Sequence, residues 1–390
     1  MNAANFLLAE MVGVIVPFMN VLLRQHGWNY ADIGVATALA GFGLFFMQIP
    51  AGILSDRVRN QGLLLAVTSL GLGLCCGLLP FSVEKHFWIY VLLFSGGAFA
   101  SFFVPLLASL ALSLVGRKRL DSTMGENQSW NHAGNIASAM LALLLVKYLG
   151  IVAVFEMIAV ISVLAATSVF LIRADNAGAA GALEDVSSRE RPVFKPRFKW
   201  SDLLRDRTIR ILLVSVALFH LANAPVMPLV GLYLKHLGGG NDQVAWAVLI
   251  AQTVMVPVAW LAGKECSARG RKPVFAVAFL ILPIRIALYS FTRNPMLLLA
   301  IQALDGIGAG VYGVVIALIC SDLTRHTQGF NTLMGLAQAA LALGGVLGPL
   351  LQGLSTEHLG FPAAFRILAG IAGLGAILFL LKMPETLERT

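Results

Sequence analysis

Charged residues are scarce in this chain of 390 residues. Lys, Arg, Asp and Glu make up only 12% of it, whereas 58% is hydrophobic, and soluble domains usually carry about 25% charged residues. This composition excludes an ordinary water-soluble enzyme. Twelve membrane helices of about 20 residues each would occupy roughly 60% of the chain, which matches the apolar fraction. The composition therefore favours an all-α polytopic membrane protein.

The sequence also lacks the motifs of ATP-driven pumps and familiar hydrolases. It contains no G-x-x-x-x-G-K-[ST] phosphate loop, H-E-x-x-H, G-x-S-x-G or paired C-x-x-C. Its four cysteines, Cys75, Cys76, Cys266 and Cys320, have neither metal-ligand nor disulfide spacing. We therefore predict no enzyme activity, no cofactor and no metal, and an ion gradient as the energy source.

Long apolar runs dominate the chain and fall into two groups of six. They lie near residues 5–24, 32–54, 62–82, 87–115, 127–148 and 150–173, and near 208–234, 243–263, 273–291, 296–320, 331–354 and 362–382. Backbone groups cannot stay unpaired in hydrocarbon, so the runs should be helices. We predict an N-terminal bundle (1–173), a cytoplasmic linker (174–207) and a C-terminal bundle (208–390). The linker's composition cannot bury a core, so we expect its first part to be flexible.

The formal net charge of +8 is distributed unevenly among the loops. The side that holds the termini and the linker carries 21 of the 28 Lys and Arg residues, and the other side carries five. An excess of Lys and Arg marks cytoplasmic loops. Both termini and the linker should therefore be cytoplasmic, and the basic charge needs no nucleic-acid partner.

The two halves of the sequence repeat one motif. A shift of 211 residues places Gly52–Arg59 over Gly263–Gly270, in each case after the second helix of the half, and the second copy continues to Lys272. Internal repeats of this kind are common in transporters. A short Gly-containing loop lets helix ends approach closely, and Asp56 can receive charge-assisted hydrogen bonds or face the positive end of another helix. We interpret the two copies as a conformational latch, with a plain basic turn as the alternative.

At these residues the sequence resembles the major facilitator superfamily, whose marker after helices two and eight reads G-x-L-x-D-R-x-G-R-K. The first copy has Arg59 in place of the glycine, and the second has Ser267 at the acidic position. The predicted latch comprises Gly52, Asp56, Arg57, Arg59, Gly263, Arg269, Gly270 and Arg271. Helix eleven also contains Gly344–Gly353, which looks like the Gly-Pro motif that exporters of this superfamily carry in helix five, and Met383–Thr386 matches a common superfamily ending.

Polar residues inside the apolar runs are the candidates for proton and solute binding, because they are costly in a membrane and usually face a cavity. Asp305 in helix ten is the best coupling candidate, since a buried carboxyl can exchange a proton near neutral pH; a structural Asp that caps nearby backbone is the alternative. Glu10 in helix one shares a face with Pro17 and Asn20, and an interfacial, solvated carboxylate is its alternative.

Helices five and seven carry further polar groups. Asn127, Asn131 and Asn135 recur at four-residue spacing, beside Gln128 and His132. They either bind a polar solute or join helix five to its neighbours. Helix seven places His220 and Asn223 one turn apart, ahead of two prolines that should kink it, and a neutral, hydrogen-bonded His220 competes with a titrating one.

By the resemblance, helices one, four, seven and ten line the cavity, whereas helices six and nine are peripheral. That makes Glu156 and Arg285 structural or lipid-interface charges. The predicted proton-coupling residues are Asp305, Glu10 and His220. The predicted substrate-binding residues are Asn131, His132, Asn135, Asn223, Ser101, Gln302 and Tyr312.

These features predict a monomeric secondary transporter in a bacterial inner membrane. Its partners would be a small organic solute, protons and membrane lipids. The overall pattern resembles the drug-proton antiporter branch and so favours proton-coupled efflux of amphipathic compounds. Uptake of a polar organic acid or a siderophore-type iron chelate is the alternative, and a lipid flippase or a non-transporting receptor on the same fold is an alternative of another class.

Overall fold

The described part of the protein is entirely helical outside its turns and loops. A computed structural model describes residues 1–13, 15–187, 203–238, 241–325, 327 and 329–388, and these ranges contain no β-strand. The helices are α1 (Asn2–Gly13), α2 (Ile15–Gln25), α3 (Tyr30–Arg57), α4 (Gln61–Ser82), α5 (His86–Ala100), α6 (Phe103–Leu149), α7 (Val152–Ser187), α8 (Arg207–Asn223), α9 (Val226–His236), α10 (Asn241–Arg269), α11 (Arg271–Tyr289), α12 (Pro295–Leu323), α13 (Phe330–Leu359) and α14 (Phe361–Lys382).

The helices follow the predicted apolar runs closely. Within the described residues, eleven helical segments are long and apolar enough to cross a membrane, and α1 and α2 together cover the remaining predicted run. Helix α6 contains the end of one span and all of the next. Gly116 separates them, because its φ of 65° interrupts the helical backbone and L-residues rarely adopt that conformation. The protein is an all-α polytopic membrane protein, as predicted.

Helix α7 extends into the predicted linker. Helix α7 continues through residues 174–187 and ends at Ser187. The physical reason lies in the composition, since this stretch is rich in alanine, which has the highest helix propensity, and it extends a helix that has already nucleated. Residues 188–202 of the predicted linker lie outside the described residues.

The chain groups into two compact units. The first comprises Met1–Leu114, Ala137–Leu203 and Thr327–Gly335, and the second comprises Val115–Ile136, Leu204–His326 and Leu336–Thr390. Each unit therefore includes a short segment from the opposite half of the sequence. The predicted domain boundaries at 173 and 208 stay a prediction.

Each unit has its own apolar core. In the first unit Leu8, Leu106 and Phe155 are fully or almost fully buried in one hydrophobic cluster. In the second, Phe279 stacks on Phe379, with ring centroids 4.3 Å apart. Many other large apolar side chains are exposed. Such side chains are expected on a surface that faces lipid, because burial from water does not drive helix packing in a membrane.

Candidate functional site: two polar clasps and a buried ion pair

The first copy of the repeated motif contacts the beginning of α13, within the first unit. The Asp56 carboxylate accepts hydrogen bonds from the backbone N–H groups of Asn331 (3.0 Å) and Thr332 (2.8 Å). It also accepts one from the Asn331 amide (2.9 Å) and one from the Thr332 hydroxyl (2.6 Å). Free N–H groups and the helix dipole make the start of a helix favourable for an anion. This contact, called the Asp56 clasp below, is of the kind that the sequence suggests for Asp56.

The other predicted latch residues of the first motif copy differ in position. Gly52 lies in the contact with α13, whereas Arg57 and Arg59 are exposed. Gly52 is essential to the close approach, because a Cβ atom there would lie 2.4 Å from the Asn331 carbonyl oxygen. Arg57 and Arg59 are exposed and take no part in the clasp. Helix α3 ends at Arg57, and Asn60 caps α4 by accepting from the Leu63 N–H, so this short turn presents its arginines outward. These two arginines lie outside the contact in this structure, and their place in the latch stays a prediction.

The second motif copy is centred on Arg271, within the second unit. Arg271 is 4% exposed, and its two terminal nitrogens donate to the two oxygens of Asp121 at 2.6 and 2.9 Å. Its Nε donates to Asp322 at 2.9 Å. A bidentate guanidinium–carboxylate pair is among the strongest charge-assisted contacts. We call this group the Arg271 clasp.

Ser267 explains how the second motif copy works without its acidic residue. Its hydroxyl donates to the Asp121 carboxylate at 2.7 Å. The same 211-residue shift that aligns Ser267 with Asp56 aligns Asp121 with Thr332. The acidic and hydroxyl groups have therefore exchanged helices between the two copies, and the acid of the second copy is supplied by α6.

Gly263, Gly270 and Arg269 have different places around the Arg271 clasp. Gly263 lies where α10 approaches α6, since a Cβ atom there would be 2.5 Å from the Asp121 carbonyl oxygen and 3.0 Å from the Gly125 Cα. Gly270 caps α11 with a φ of 102°. The Arg269 side chain lies outside the clasp, because it is 73% exposed and pairs with Glu265 one turn away. Its place in the latch stays a prediction.

The predicted superfamily ending, Met383–Thr386, anchors the same clasp. Oxygens of Glu385 accept from the backbone N–H groups of Arg271 (2.8 Å) and Lys272 (3.0 Å), at the start of α11. Burial by itself would raise the pKa of Glu385, but hydrogen bonds from the backbone N–H groups of Leu387, Arg271, Lys272 and Thr386 outweigh it and hold the pKa below its ordinary value of 4.5. Glu385 is therefore charged at neutral pH.

A buried ion pair lies further along the second unit, between α11 and α12. Arg285 pairs with the Asp305 carboxylate, and its Nη2 also donates to the Asn223 side-chain oxygen of α8 at 2.5 Å. Arg285 is 2% exposed, whereas the Asp305 side chain keeps 15% of its surface accessible. The prediction that Arg285 lies at the periphery is wrong. Three helices of one unit place this cation against the predicted coupling carboxylate.

Several buried polar atoms on the helices of this ion pair have no hydrogen-bond partner among the described residues. They include the Arg285 Nε, the Tyr289 hydroxyl and both side-chain amide atoms of Gln302. Tyr289 lies one turn beyond Arg285 on α11, and Gln302 lies one turn before Asp305 on α12, so both are displaced from the pair toward the same end of these antiparallel helices. Buried polar groups are normally paired, and unpaired ones indicate a place for water or a ligand.

The predicted residues His220 and Tyr312 contact each other in the same unit. Their rings meet edge to face with centroids 4.7 Å apart. His220 is 9% exposed, and within the described ranges its Nε2 has no hydrogen-bond partner. Gly344 of the predicted Gly-Pro motif lies against the His220 backbone and side chain. The structure therefore brings His220, Asn223, Gln302, Asp305 and Tyr312 onto α8 and α12 of one unit.

Two polar residues of predicted helix five, which is part of α6, join it to other helices of the second unit. His132 Nδ1 lies 3.0 Å from the Gln252 side-chain oxygen of α10, and Gln128 donates to the Gly313 carbonyl of α12 at 3.1 Å. Asn131 and Asn135 are partly buried, and the Asn135 side-chain N–H donates to the Asn131 side-chain oxygen at 3.4 Å. These contacts favour the alternative in which helix five is held to its neighbours, while Asn131 and Asn135 keep accessible surface for a solute.

Glu10 and Ser101 belong to the first unit, and both are buried. The Glu10 side chain is buried, and its backbone carbonyl accepts from the Ser138 hydroxyl at 2.7 Å. The burial argues against the solvated alternative for this carboxylate. The Ser101 hydroxyl donates to the Ala98 carbonyl of its own helix at 2.7 Å, so its hydrogen-bonding capacity is partly used.

The first unit also contains an apolar cavity of about 320 Å³. Aliphatic side chains and glycines of α2 to α5 make up most of its wall, including Ile15, Leu44, Leu72 and Leu93, and Thr37 and the buried Cys75 and Cys76 add few polar atoms. Cavities of this size and composition accommodate the apolar body of a small molecule.

Comparison with known proteins identifies the family. The family model of the major facilitator superfamily matches residues 1–264 and 212–390, which together include the whole chain. The chain belongs to the major facilitator superfamily. Members of this superfamily are membrane transporters rather than enzymes, and the resemblance drawn from the repeated motif is confirmed.

Relatives and solved structures within the superfamily match almost the whole chain. An uncharacterized MFS-type transporter of Mycobacterium tuberculosis (strain ATCC 25618 / H37Rv) is 33% identical over 401 residues, which cover 100% of this chain and 93% of that protein. The multi-drug resistance efflux pump PmrA of Streptococcus pneumoniae serotype 4 is 23% identical over 372 residues, which cover 93% and 89%. The structure of the proton:xylose symporter XylE has a TM-score of 0.77 at 14% identity and covers 99% of this chain and 95% of its own. This structural likeness supports the fold.

Some functional residues of this superfamily member were not predicted from its sequence. Asp121, Asp322 and Glu385 complete the Arg271 clasp, and Arg285 and Tyr289 complete the buried polar group. A signal for Tyr289 was present, because it follows Arg285 by four residues and so shares its helix face. The acidic partners lie on other helices, and the linear sequence contains no direct record of those contacts.

Proposed function

We propose that this protein is a proton-coupled secondary transporter of a small organic solute, with Asp305 as the proton-binding group. The observation that carries the proposal is the buried contact between Asp305 and Arg285 amid unpartnered polar atoms. Ionisable groups inside a membrane span are costly and mark substrate or proton pathways. The superfamily membership supports transport as the general activity.

The ion pair supplies a physical basis for proton exchange. A carboxylate next to a guanidinium remains ionised, whereas a buried carboxylate without a nearby cation favours its protonated form. Asp305 therefore releases a proton when Arg285 is in contact with it and binds one when the two groups separate. Transport requires only that the solute-loaded and empty states differ in this contact.

The two clasps provide candidate latches for the conformational cycle. The Asp56 clasp joins a helix from the first half of the sequence to one from the second half, and so does the pairing of Asp121 with Arg271. Both lie at the predicted cytoplasmic ends of their helices. We assign them to a state in which that end is closed, and their opening to the state that faces the cytoplasm.

Two directions of transport have specific support. Efflux of amphipathic compounds, the leading interpretation of the sequence, is favoured by the apolar cavity of the first unit and by the similarity to PmrA. Uptake of a polar organic acid is favoured by Arg285, a fixed buried cation. In either case we place the protein as a monomer in a bacterial inner membrane.

Solute-linked proton movement tests this function. The full-length protein is reconstituted into vesicles that contain a pH-sensitive dye and is offered cationic dyes, organic acids and iron chelates, with solute exchange measured in parallel. We expect at least one compound that is exchanged across the membrane also to drive protons, and the sign to separate antiport from symport. Exchange of compounds without any proton movement would overturn the proposal, and binding without exchange would favour a receptor.

A further inference from the structure

We infer that the transported solute is an organic anion whose carboxylate, or a similar acidic group, takes the place of Asp305 on Arg285 and moves in the same direction as the proton. This inference rests on the proposed role of Asp305. It follows from the charges in the second unit and from the kind of polar atoms that lie unpaired there.

Arg285 requires a negative partner at all times. Its guanidinium does not lose its charge in proteins, and an unpaired buried charge is strongly unfavourable. Among the described residues, the Asp305 side chain is the carboxylate with which Arg285 pairs. Asn223 of α8 also contacts Arg285, and Tyr289 and Gln302 lie one turn from the pair on α11 and α12. None of these three side chains supplies a compensating anion.

Protonation of Asp305 therefore creates a vacancy for an anion. Once Asp305 is neutral, Arg285 is left as an uncompensated cation in a site that is almost completely closed to water. A monoanionic solute restores neutrality, so that proton and anion are bound in the same state. A cationic solute would meet Arg285 at close range, and like charges in a medium of low polarity repel strongly.

The unpartnered atoms are suited to an anionic acceptor. The Arg285 Nε–H, the Tyr289 O–H and the Gln302 side-chain N–H groups are donors, and the part of the chain that the structure describes offers none of them a partner. Two carboxylate oxygens offer about four acceptor positions. The donors on α11 and α12 lie at the same end of the ion pair, so they define one place for the acidic group beside Arg285.

Simultaneous binding fixes the direction of coupling. When the proton and the anion occupy the site together, both cross the membrane in the same direction. An inward proton gradient then drives uptake. This outcome favours the organic-acid alternative and assigns the apolar cavity of the first unit no part in selecting the charge of the solute.

Anion binding by an Asp305→Asn variant tests the inference. Thermal unfolding of the purified full-length protein is followed by a thiol-reactive dye, since the four cysteines are buried and free. Benzoate is compared with benzamide, a neutral molecule of nearly the same shape. We expect the variant to bind benzoate at least about 10-fold more tightly than the Asp305→Asn/Arg285→Gln double variant, a difference of about 1.4 kcal/mol, and to show no such preference for benzamide.

The wild-type protein supplies a second measurement that does not depend on a variant that folds. Because proton and anion bind together, benzoate should stabilise the wild-type protein more near pH 5.5 than near pH 8, while benzamide should act equally at both. Equal effects of benzoate and benzamide in the variant and in the acidic wild-type protein would overturn the inference.

The proposed function and this inference fail in different ways. If Asp305→Asn abolishes solute-linked proton movement but no form of the protein prefers benzoate to benzamide, Asp305 is the coupling group and the anion site on Arg285 is refuted. If Asp305→Asn binds benzoate through Arg285 yet moves protons as the wild-type protein does, the proposed role of Asp305 in proton coupling is refuted and the anion site on Arg285 is supported.

Discussion

Replacing Arg271 by Gln is expected to lower the free energy of unfolding by about 3–5 kcal/mol, as is typical when one partner of a buried ion pair is removed. Arg271 is 4% exposed and is bound to Asp121 through two hydrogen bonds and to Asp322 through a third. Without the guanidinium, two buried carboxylates face each other with no cation between them. The backbone contacts of Glu385 to the start of α11 remain, so the loss is confined to the charges.

Arg269→Gln is the matched control for this prediction. Arg269 lies two residues away, is 73% exposed and pairs only with Glu265 in the same helix, a type of contact that contributes about 0.3–0.5 kcal/mol. Thermal unfolding should show a fall of at least about 5 °C for Arg271→Gln and little change for Arg269→Gln. Similar falls for the two variants would show that the Arg271 clasp does not stabilise the protein.

Replacing Arg285 by Gln is expected to reduce pH-driven solute transport at least about 100-fold. An ionised Asp305 then lacks its cation, and an unpaired buried charge costs several kcal/mol, whereas a 100-fold change in rate needs about 2.7 kcal/mol. Asp305 consequently retains its proton and the cycle stops at proton release. Exchange of solute between the two sides needs no proton release, so it should persist, although with weaker binding of an anion.

Arg366→Gln is the control for this second prediction. Arg366 also lies within a predicted span of the second unit, but its side chain is exposed and its Nε donates to the Pro362 carbonyl one turn earlier. Driven transport and exchange are measured for both variants in the same vesicles. A loss of driven transport in Arg366→Gln as large as in Arg285→Gln would indicate a general effect of removing an intramembrane cation.

The fold could be predicted from the sequence because hydropathy reports directly on the membrane. The apolar runs near 273–291 and 362–382, for example, correspond to α11 and α14. The continuation of α7 to Ser187 does not follow from hydropathy, because this stretch is polar and contains glycine, and only the helix propensity of its alanines favours a helix. The exchange of short segments between the compact units depends on tertiary contacts, which apolar periodicity does not record.

The candidate site was predictable only in part. Asp305 and Asp56 are isolated acidic residues in or beside apolar runs. A charged side chain in a membrane span costs free energy, so its presence there indicates a function. Arg285 carries the same signal but was assigned to a peripheral helix by family resemblance, and its contact with Asp305 depends on how α11 packs against α12. Ser267 departs from the motif at its acidic position. The residue that replaces the missing acid is Asp121, which lies 211 residues before Thr332, the hydroxyl partner of Asp56 in the first copy.

The most direct test of proton coupling through Asp305 compares solute-linked proton movement in vesicles that contain either the wild-type protein or the Asp305→Asn variant. Exchange of the same solute is measured in both, so that a folded and solute-competent variant is recognised. We expect Asp305→Asn to exchange solute but to move no protons with it. Proton movement equal to that of the wild-type protein would contradict the assignment of Asp305 as the coupling group.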